Sequence, residues 1–456
     1  MAGEARLADL CESIVDCPHS TPVWTDSGVV VLRNQNIRNG RLVLTEPSYT
    51  DEAHFAERTR RAMPTEGDLV ITREAPMGEV CMIPSDLRCC LGQRLVLLRP
   101  NRKRAEPRYL LYALQSKAVQ HEIGVNEGTG STVSNLRIPL LESLPIPTRP
   151  LSEQRAIAHI LGTLDDKIEL NRRMSETLEG MARALFKSWF VDFDPVRAKA
   201  EGRDPGLAKP IADLFPARLV HSELGEIPEG WEVGRFGEVV EQLRDQENPL
   251  SFPDVLYHHF SIPAFDEGQT AKAEFGESIK SLKSRVPPGV ILMSKLNPEI
   301  ERVWMVDVQP YDRSVCSTEF LVLRSRPPFT RGYAYCLARS PLFRQQIEGL
   351  VTGTSKSHQR AQVRSILDLA AVKPPARVVA TFDGSAEAML ARTLECRREG
   401  RTLAALRDAL LPKLISGELR VGDALQGVQA WEPATQEVFA ESVGRHPRQV
   451  EDREHG

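Results

Sequence analysis

Long apolar runs are missing from this 456-residue chain. The longest, such as Gly289-Val-Ile-Leu-Met293, have the size of a strand, against the roughly 18 residues that a membrane span needs. No apolar stretch follows Met1-Ala-Gly-Glu-Ala-Arg6 as a secretory leader would require, so a soluble, cytoplasmic protein is expected. Charge of one sign is also lacking. Lys+Arg 58 against Asp+Glu 62 leave a formal net charge of −4, so nucleic acid can be met only through local patches. Cysteine is scarce: eight residues, none in a C-x-x-C pair, with histidines scattered apart from His258-His259. That excludes a disulfide framework and the usual zinc spacings, and leaves the cysteines as small hydrophobes of a reducing compartment. What remains is ordinary globular usage, 41% hydrophobic and 26% charged, enough for roughly two or three domains.

Catalytic signatures are absent as well. No G-x-G-x-x-G follows a strand and no G-x-x-x-x-G-K-[ST] occurs, so nucleotide binding lacks its phosphate cradle. There is no G-x-S-x-G elbow and no H-E-x-x-H. An amino-methyltransferase would carry Asn/Asp-Pro-Pro-aromatic, and Leu296-Asn-Pro-Glu-Ile300 lacks the second proline and the aromatic. A nuclease-like triplet of Asp254, Glu274 and Lys280 has the right residue types, but among 62 acidic residues such triplets arise by accident. The chain reads as non-catalytic.

What is present is a repeat. Gly67-Asp-Leu-Val-Ile-Thr-Arg73 returns as Gly289-Val-Ile-Leu-Met-Ser-Lys295, an offset of 222 residues (67 to 289). Leu95-Val-Leu-Leu-Arg99 returns as Phe320-Leu-Val-Leu-Arg324, and Arg108-Tyr-Leu-Leu-Tyr-Ala-Leu114 as Gly332-Tyr-Ala-Tyr-Cys-Leu337. The polar loop Gly128-Thr-Gly-Ser-Thr132 returns as Thr352-Gly-Thr-Ser355, and prolines 145, 147 and 150 as Pro374 and Pro375. Each copy then runs into a long helical pattern, so the chain is a tandem duplication of a globular module plus a long helix.

The first helix is predicted over Ser152 to Phe190, with Ser152 as N-cap and Glu153 at the positive end of the helix dipole. Ile157, Leu161, Leu164, Ile168, Asn171, Ser175, Leu178, Ala182, Leu185 and Trp189 follow a 4-3 spacing, a coiled-coil seam with a polar layer at Asn171 and Ser175. The second covers Val378 to Ile415, with Val379, Phe382, Ala386, Met389, Thr393, Cys396, Leu403, Leu406 and Leu410 on one side; Gly384, Gly400 and Pro412 are expected to weaken or bend it. The two seams can pair with each other, or each can pack on its own module. Between the copies the Pro/Gly-rich stretch 194–224 reads as an irregular connector, and from about 421 the polar, charged tail reads as disordered.

The recurring loops carry the chemistry. Asn126 to Arg137 offers Thr129, Ser131, Asn135 and Arg137 on a Gly-permissive backbone, and Gly349 to Arg360 offers Thr354, Lys356, His358 and Arg360. Hydroxyls suit phosphate oxygens, while Arg, Lys, Asn and Gln suit phosphates or base edges. Arg33, Asn34, Asn36, Arg73, Lys295 and Asn297 join them from strand edges as candidate DNA contacts. A solvated loop is the alternative, weakened by recurrence at equivalent positions.

Several segments resemble one family, the specificity (S) subunit of Type I restriction-modification enzymes. They are Leu144-Pro-Ile-Pro-Thr-Arg-Pro-Leu-Ser-Glu-Gln-Arg-Ala-Ile-Ala-His-Ile-Leu161, Leu164-Asp-Asp-Lys-Ile-Glu-Leu-Asn171 and Ala184-Leu-Phe-Lys-Ser-Trp-Phe-Val-Asp-Phe193. Gly225-Glu-Ile-Pro-Glu-Gly-Trp-Glu-Val233, Leu411-Pro-Lys-Leu-Ile-Ser-Gly-Glu-Leu419 and the opening Asp16-Cys-Pro-His-Ser-Thr-Pro22 add to the likeness. The second copy departs from it, since Pro374-Pro-Ala-Arg-Val-Val379 lacks the Glu-Gln pair. The resemblance implies an α+β fold in which two mixed α/β target recognition domains are separated by two long antiparallel coiled-coil helices. Residues 1–150 would be the first recognition domain, 151–193 the central helix, 194–224 the connector, 225–375 the second recognition domain, 376–420 the distal helix and 421–456 the tail. It further implies a bipartite, asymmetric double-stranded DNA target, with two modification subunits that bind S-adenosylmethionine and methylate adenine. Restriction subunits using ATP and Mg would dock too, and this chain would hold no cofactor, metal or membrane contact of its own. A coiled-coil scaffold whose two modules bind protein is the competing reading.

Helical rise turns this organisation into a testable ruler. Inserting four residues between Glu169 and Arg173 adds about 6 Å, roughly two base pairs of B-DNA at about 3.4 Å each. Such an insertion is a stutter that a coiled coil absorbs. The expected methylome keeps both half-site sequences and lengthens the unread spacer by one or two positions; an unchanged spacer would show that the helix does not set it.

Overall fold

A computed structural model of the chain describes residues 3–125, 135–350 and 359–424. It has two compact units, Met1–Glu169 with Gly400–Gly456, and Leu170–Glu399.

In the first unit, the strands Cys11–Asp16, Leu95–Pro100, Leu69–Thr72 and Val80–Met82 form an antiparallel sheet in that order. Its two inner strands, Leu95–Pro100 and Leu69–Thr72, open on unbroken apolar runs because both their faces are covered. Leu69, Ile71, Val96 and Leu98 pack on one face with the helix Pro107–Gln115. Val70, Leu95, Leu97 and Cys81 pack on the other with Leu32 and Ile37. A three-stranded sheet, Ser48–Thr50, Val29–Leu32 and Cys89–Leu91, lies beside it, its last two strands parallel. The strand Gly3–Arg6 closes on Pro145–Thr148.

The second unit repeats this plan. Val240–Leu243, Phe320–Ser325, Ile291–Ser294 and Val303–Met305 form the four-stranded sheet. Ile291, Met293, Leu321 and Leu323 face one core, while Leu292, Phe320, Val322 and Trp304 face another. The parallel pair is Leu256–Phe260 with Ser314–Cys316, here within a five-stranded sheet, and Glu232–Arg235 closes on Ala370–Lys373. Tyr109 Oη donates to Pro147 O at 2.9 Å in one unit, and Tyr333 Oη to Val372 O at 2.9 Å in the other. The duplication read from the sequence is thus a duplication of topology and of a buried tyrosine anchor.

Both long helices form, Leu151–Phe190 and Ala376–Ser416. The second runs through Gly384, Gly400 and Pro412, where a weakened or bent helix was expected. Within the second unit the two helices meet in opposite chain direction. Asn171 Nδ2 donates to Glu399 Oε2 at 3.0 Å, Thr393 Oγ1 to Ser175 O at 3.4 Å, and Met174 lies against Cys396. The expected polar layer is therefore a buried one. The seam also serves the modules, because Ile157 and Leu161 join the first unit's core, and Phe186, Trp189 and Phe382 the second's. Ile168, Leu178 and Leu185 are partly buried, Leu185 against the second unit's core, and its neighbour Phe186 is fully buried there.

The stretch 194–224 is not an irregular connector. Two of its prolines open short helices, Pro195 in Asp194–Ala200 and Pro210 in Lys209–Ala212, where a missing N–H costs nothing. A hairpin, Leu219–Ser222 with Gly225–Pro228, follows. Phe193, Val196, Phe215 and Trp231 bury this segment against Trp189 and Phe190 in the second unit's core. At the other end, residues 421–424 remain packed on the first unit, with Ala424 buried; the rest of the tail, 425–456, lies outside the described residues.

Two carboxylates, Glu179 buried and Asp165 partly buried, tie the helices to the modules. Asp165 takes Tyr112 Oη at 2.6 Å, Arg407 at 2.7 Å and Arg41 at 3.1 Å. Burial alone would raise its pKa, but these donors outweigh it and hold the carboxyl below its ordinary range. Glu179, 8% exposed, takes Tyr335 Oη at 2.8 Å, Arg397 at 2.5 Å, and Arg339. Gln154 does comparable work inside the first unit. It accepts from Glu106 N at 2.9 Å and donates to Arg104 O and Arg149 O at 3.1 and 2.8 Å.

All eight cysteines are free thiols and seven are buried. Burial pushes Cys11, Cys89, Cys316 and Cys336 up to about 12, so they stay protonated and act as hydrophobes.

Removing Glu179 leaves Arg339 and Arg397 without their shared carboxylate. Glu179→Ala should therefore lower the unfolding free energy by about 3–5 kcal/mol, the cost of breaking a buried pair from one side. Urea titration measures it, and a loss under 1 kcal/mol would show the cluster to be well solvated.

Candidate nucleic-acid interface

Each unit brings three segments to one backbone junction at the end of its central strand. In the first, Arg73 N donates to Arg94 O at 2.8 Å, and Leu136 N to Arg73 O at 3.0 Å. In the second, Lys295 N donates to Glu319 O at 3.0 Å, and Ala361 N to Lys295 O at 3.0 Å. The junction is the same, but the side chains on it differ.

In the first unit the junction is a closed charge network. Arg73 grips both Asp16 oxygens at 2.8 and 2.9 Å, Leu136 O at 3.0 Å and Asn135 Oδ1 at 3.1 Å. Asn135 Nδ2 donates to Glu74 Oε1 at 2.7 Å, and Arg94 pairs with Glu74 at 3.0 Å. Asn34 Nδ2 reaches the Glu74 carbonyl. Of the residues singled out in the sequence, Asn34, Arg73 and Asn135 meet here, with Arg73 and Asn135 holding the junction together. Asn36 is buried, accepting from Arg33 N at 2.8 Å and donating to Val43 O at 3.0 Å, so its amide is spent on the backbone. Arg33 and Arg137 are exposed, and neither makes an ion pair among the described residues.

Beside the network lies a cleft of roughly 380 Å³ whose walls include Trp24, Arg33, Asn34, Gln93 and Arg94. The Arg33 guanidinium sits 5.4 Å from the Trp24 ring centre, and Trp24 is 46% exposed while Trp189, Trp231 and Trp304 are buried. Sequence reasoning missed Trp24, Gln93 and Arg94. The usable signals were a tryptophan standing in a polar Thr-Pro-Val-Trp-Thr stretch, and Gly92-Gln-Arg94 at the corner between two strands.

In the second unit an isolated bridge pairs Leu296 with Arg360, and Asn297 N donates to Gln359 O at 2.8 Å. Arg360 forms a fork on Glu319 at 2.8 and 3.1 Å, which raises its already high pKa. Lys295, Asn297 and Arg360 are thereby brought together, and the Lys295 ammonium has no ion pair among the described residues. Thr129, Ser131, Thr354, Lys356 and His358 lie outside the described residues. No group of His, Cys, Asp or Glu among the described residues is arranged to hold a metal ion.

Comparison with known proteins agrees with this architecture. Residues 4–180 match the family model described as Type I restriction modification DNA specificity domain. The chain is 26% identical over 384 residues to the Type I restriction enzyme MjaIX specificity subunit of Methanocaldococcus jannaschii, covering 82% of each. It is 24% identical over 453 residues to the HindI specificity subunit of Haemophilus influenzae, covering 86% of this chain and 94% of that one. A crystal structure of a Type I restriction-modification system S subunit from M. genitalium shares the fold. Its TM-score is 0.56 at 12% identity, over 91% of this chain and 96% of that one.

Exposed side chains without an ion pair and buried, internally bonded ones are expected to respond differently to substitution. Arg33→Ala and Arg137→Ala should each weaken DNA binding for every sequence and reduce the slope of log K against log salt by about 1. Asn36→Ala should leave that slope unchanged and cost about 1 kcal/mol of stability instead. Salt-titrated gel shifts with a parallel urea melt distinguish the two behaviours.

Proposed function

We propose that the chain is a Type I restriction-modification specificity subunit and that each of its two modules reads one half of a bipartite DNA target. The observation that carries this is the shared junction with unlike side chains: Arg73, Arg94 and Asn135 in one unit, Lys295, Glu319 and Arg360 in the other. A common backbone holds the loops around the junction in one geometry, and the different side chains on and beside it present different groups to the bases, so the target is asymmetric. Residues 1–150 and 225–375 act as the recognition domains, with 151–193 and 376–420 as the long helices that follow them in the chain.

The chain supplies recognition and assembly rather than catalysis. It docks two modification subunits, whose S-adenosylmethionine methylates adenine, and restriction subunits that use ATP and Mg. A near-neutral protein can still hold DNA if those partners provide much of the phosphate contact. The contacts on this chain are Arg33, Asn34 and Arg137 in the first module and Lys295, Asn297 and Arg360 in the second, with Thr129, Ser131, Thr354, Lys356 and His358 from the two polar loops. Arg73 and Asn135 position rather than read. No helix among the described residues is long and apolar enough to cross a membrane, in keeping with work on cytoplasmic DNA.

Exchanging residues 1–150 for the corresponding domain of another family member is expected to change one half of the methylated motif and preserve the other. Methylome sequencing of a host expressing the chimera with its modification partner gives the answer. A motif altered in both halves, or in neither, would contradict modular reading.

A further inference from the structure

The cleft beside the first unit's junction has properties that groove reading does not use. Readers of stacked bases must protrude, because base edges lie at the floor of a major groove about 12 Å wide. Here the polar groups instead line a hollow of roughly 380 Å³. Two of its lining residues that are not glycine, Ala75 and Arg94, hold φ of 43° and 66°, in the left-handed region. Strain of this kind is kept where surrounding structure enforces it, and it gathers at ligand sites. Asn34 adds a waiting acceptor. Its Nδ2 is engaged by the Glu74 carbonyl, which fixes the amide's orientation, while its buried Oδ1 has no donor. Gln93 is oriented as well, its Nε2 donating to His19 O at 2.5 Å. Over the hollow stand a half-exposed indole and two half-exposed or exposed guanidinium groups, Arg33 and Arg94.

We infer that the cleft takes a single amino-bearing nucleobase that has left the helical stack, laid on Trp24. The inference rests on the reading of this chain as a DNA-recognition subunit. The exocyclic amine of the base donates to Asn34 Oδ1, Gln93 Oε1 remains as a second acceptor, and Arg33 and Arg94 meet the flanking phosphates. Stacking supplies the affinity, and the unpaired acceptor discriminates against a base without an amine, since burying it unsatisfied is costly. At the second unit's own junction Arg360 is instead forked on Glu319.

The test uses the full chain, alone and with its modification partner, on a duplex bearing the methylated motif with 2-aminopurine at one position at a time. One position in the first unit's half-site, other than the methylated base, is expected to brighten on binding. Trp24→Ala should abolish the brightening and weaken binding about tenfold, while Trp24→Phe keeps both. Replacing the natural base there by unsubstituted purine should weaken binding in the wild type but not in Asn34→Ala. A duplex that binds, by anisotropy, with no position brightening would overturn the inference and leave the DNA reading standing. So would brightening confined to the methylated base and unaltered in Trp24→Ala. Failure of the wild type to bind the motif at all would overturn both.

Discussion

A buried carboxylate must find partners, and this constraint organises the molecule. Taking an ion out of water costs several kcal/mol, recovered only when donors converge on it in good geometry. Asp165 and Glu179 both sit on the first long helix, and each meets that need with a tyrosine of its own unit and an arginine of the second long helix. Three segments distant in sequence must therefore come together at each carboxylate. Apolar seams alone tolerate sliding, because Leu, Ile and Val are interchangeable at modest cost. A triple ionic junction fixes which residue faces which.

The same logic governs the candidate interface on a smaller scale. Arg73 is surrounded by Asp16, Asn135 and the Leu136 carbonyl, so the strand end, the first segment and the return from the polar loop are held in one place. In the second unit the corresponding work passes to Arg360 and Glu319. Separating a conserved-geometry backbone junction from its variable side chains lets one fold present two different surfaces. That is the physical requirement for a target whose halves differ.

Much of this was legible in the sequence. The repeat offset located both four-stranded sheets, because unbroken runs such as Leu69–Thr72 and Ile291–Ser294 have no alternative but a strand covered on both faces. The long helices were legible from their 4-3 spacing. The stretch 194–224 was not legible because proline density signals irregular chain in a sequence, whereas Pro195 and Pro210 occupy first-turn positions and the aromatics around them bury the segment. At the site, residue type identified Arg73 and Asn135 without distinguishing a side chain that reads from one that positions, and Asn36 looked like a contact although its amide is spent internally. Trp24 was overlooked because an isolated aromatic carries no periodicity; only the folded chain sets it beside Arg33 and the Gln93 corner.

The central claim is that two unlike surfaces on one repeated frame read two unlike DNA half-sites. Methylome sequencing of a host expressing the unaltered chain with its modification partner tests it most directly. The account predicts one bipartite motif with two different specific halves flanking bases that are not read. A palindromic motif, a single uninterrupted one, or methylation without sequence preference would contradict it.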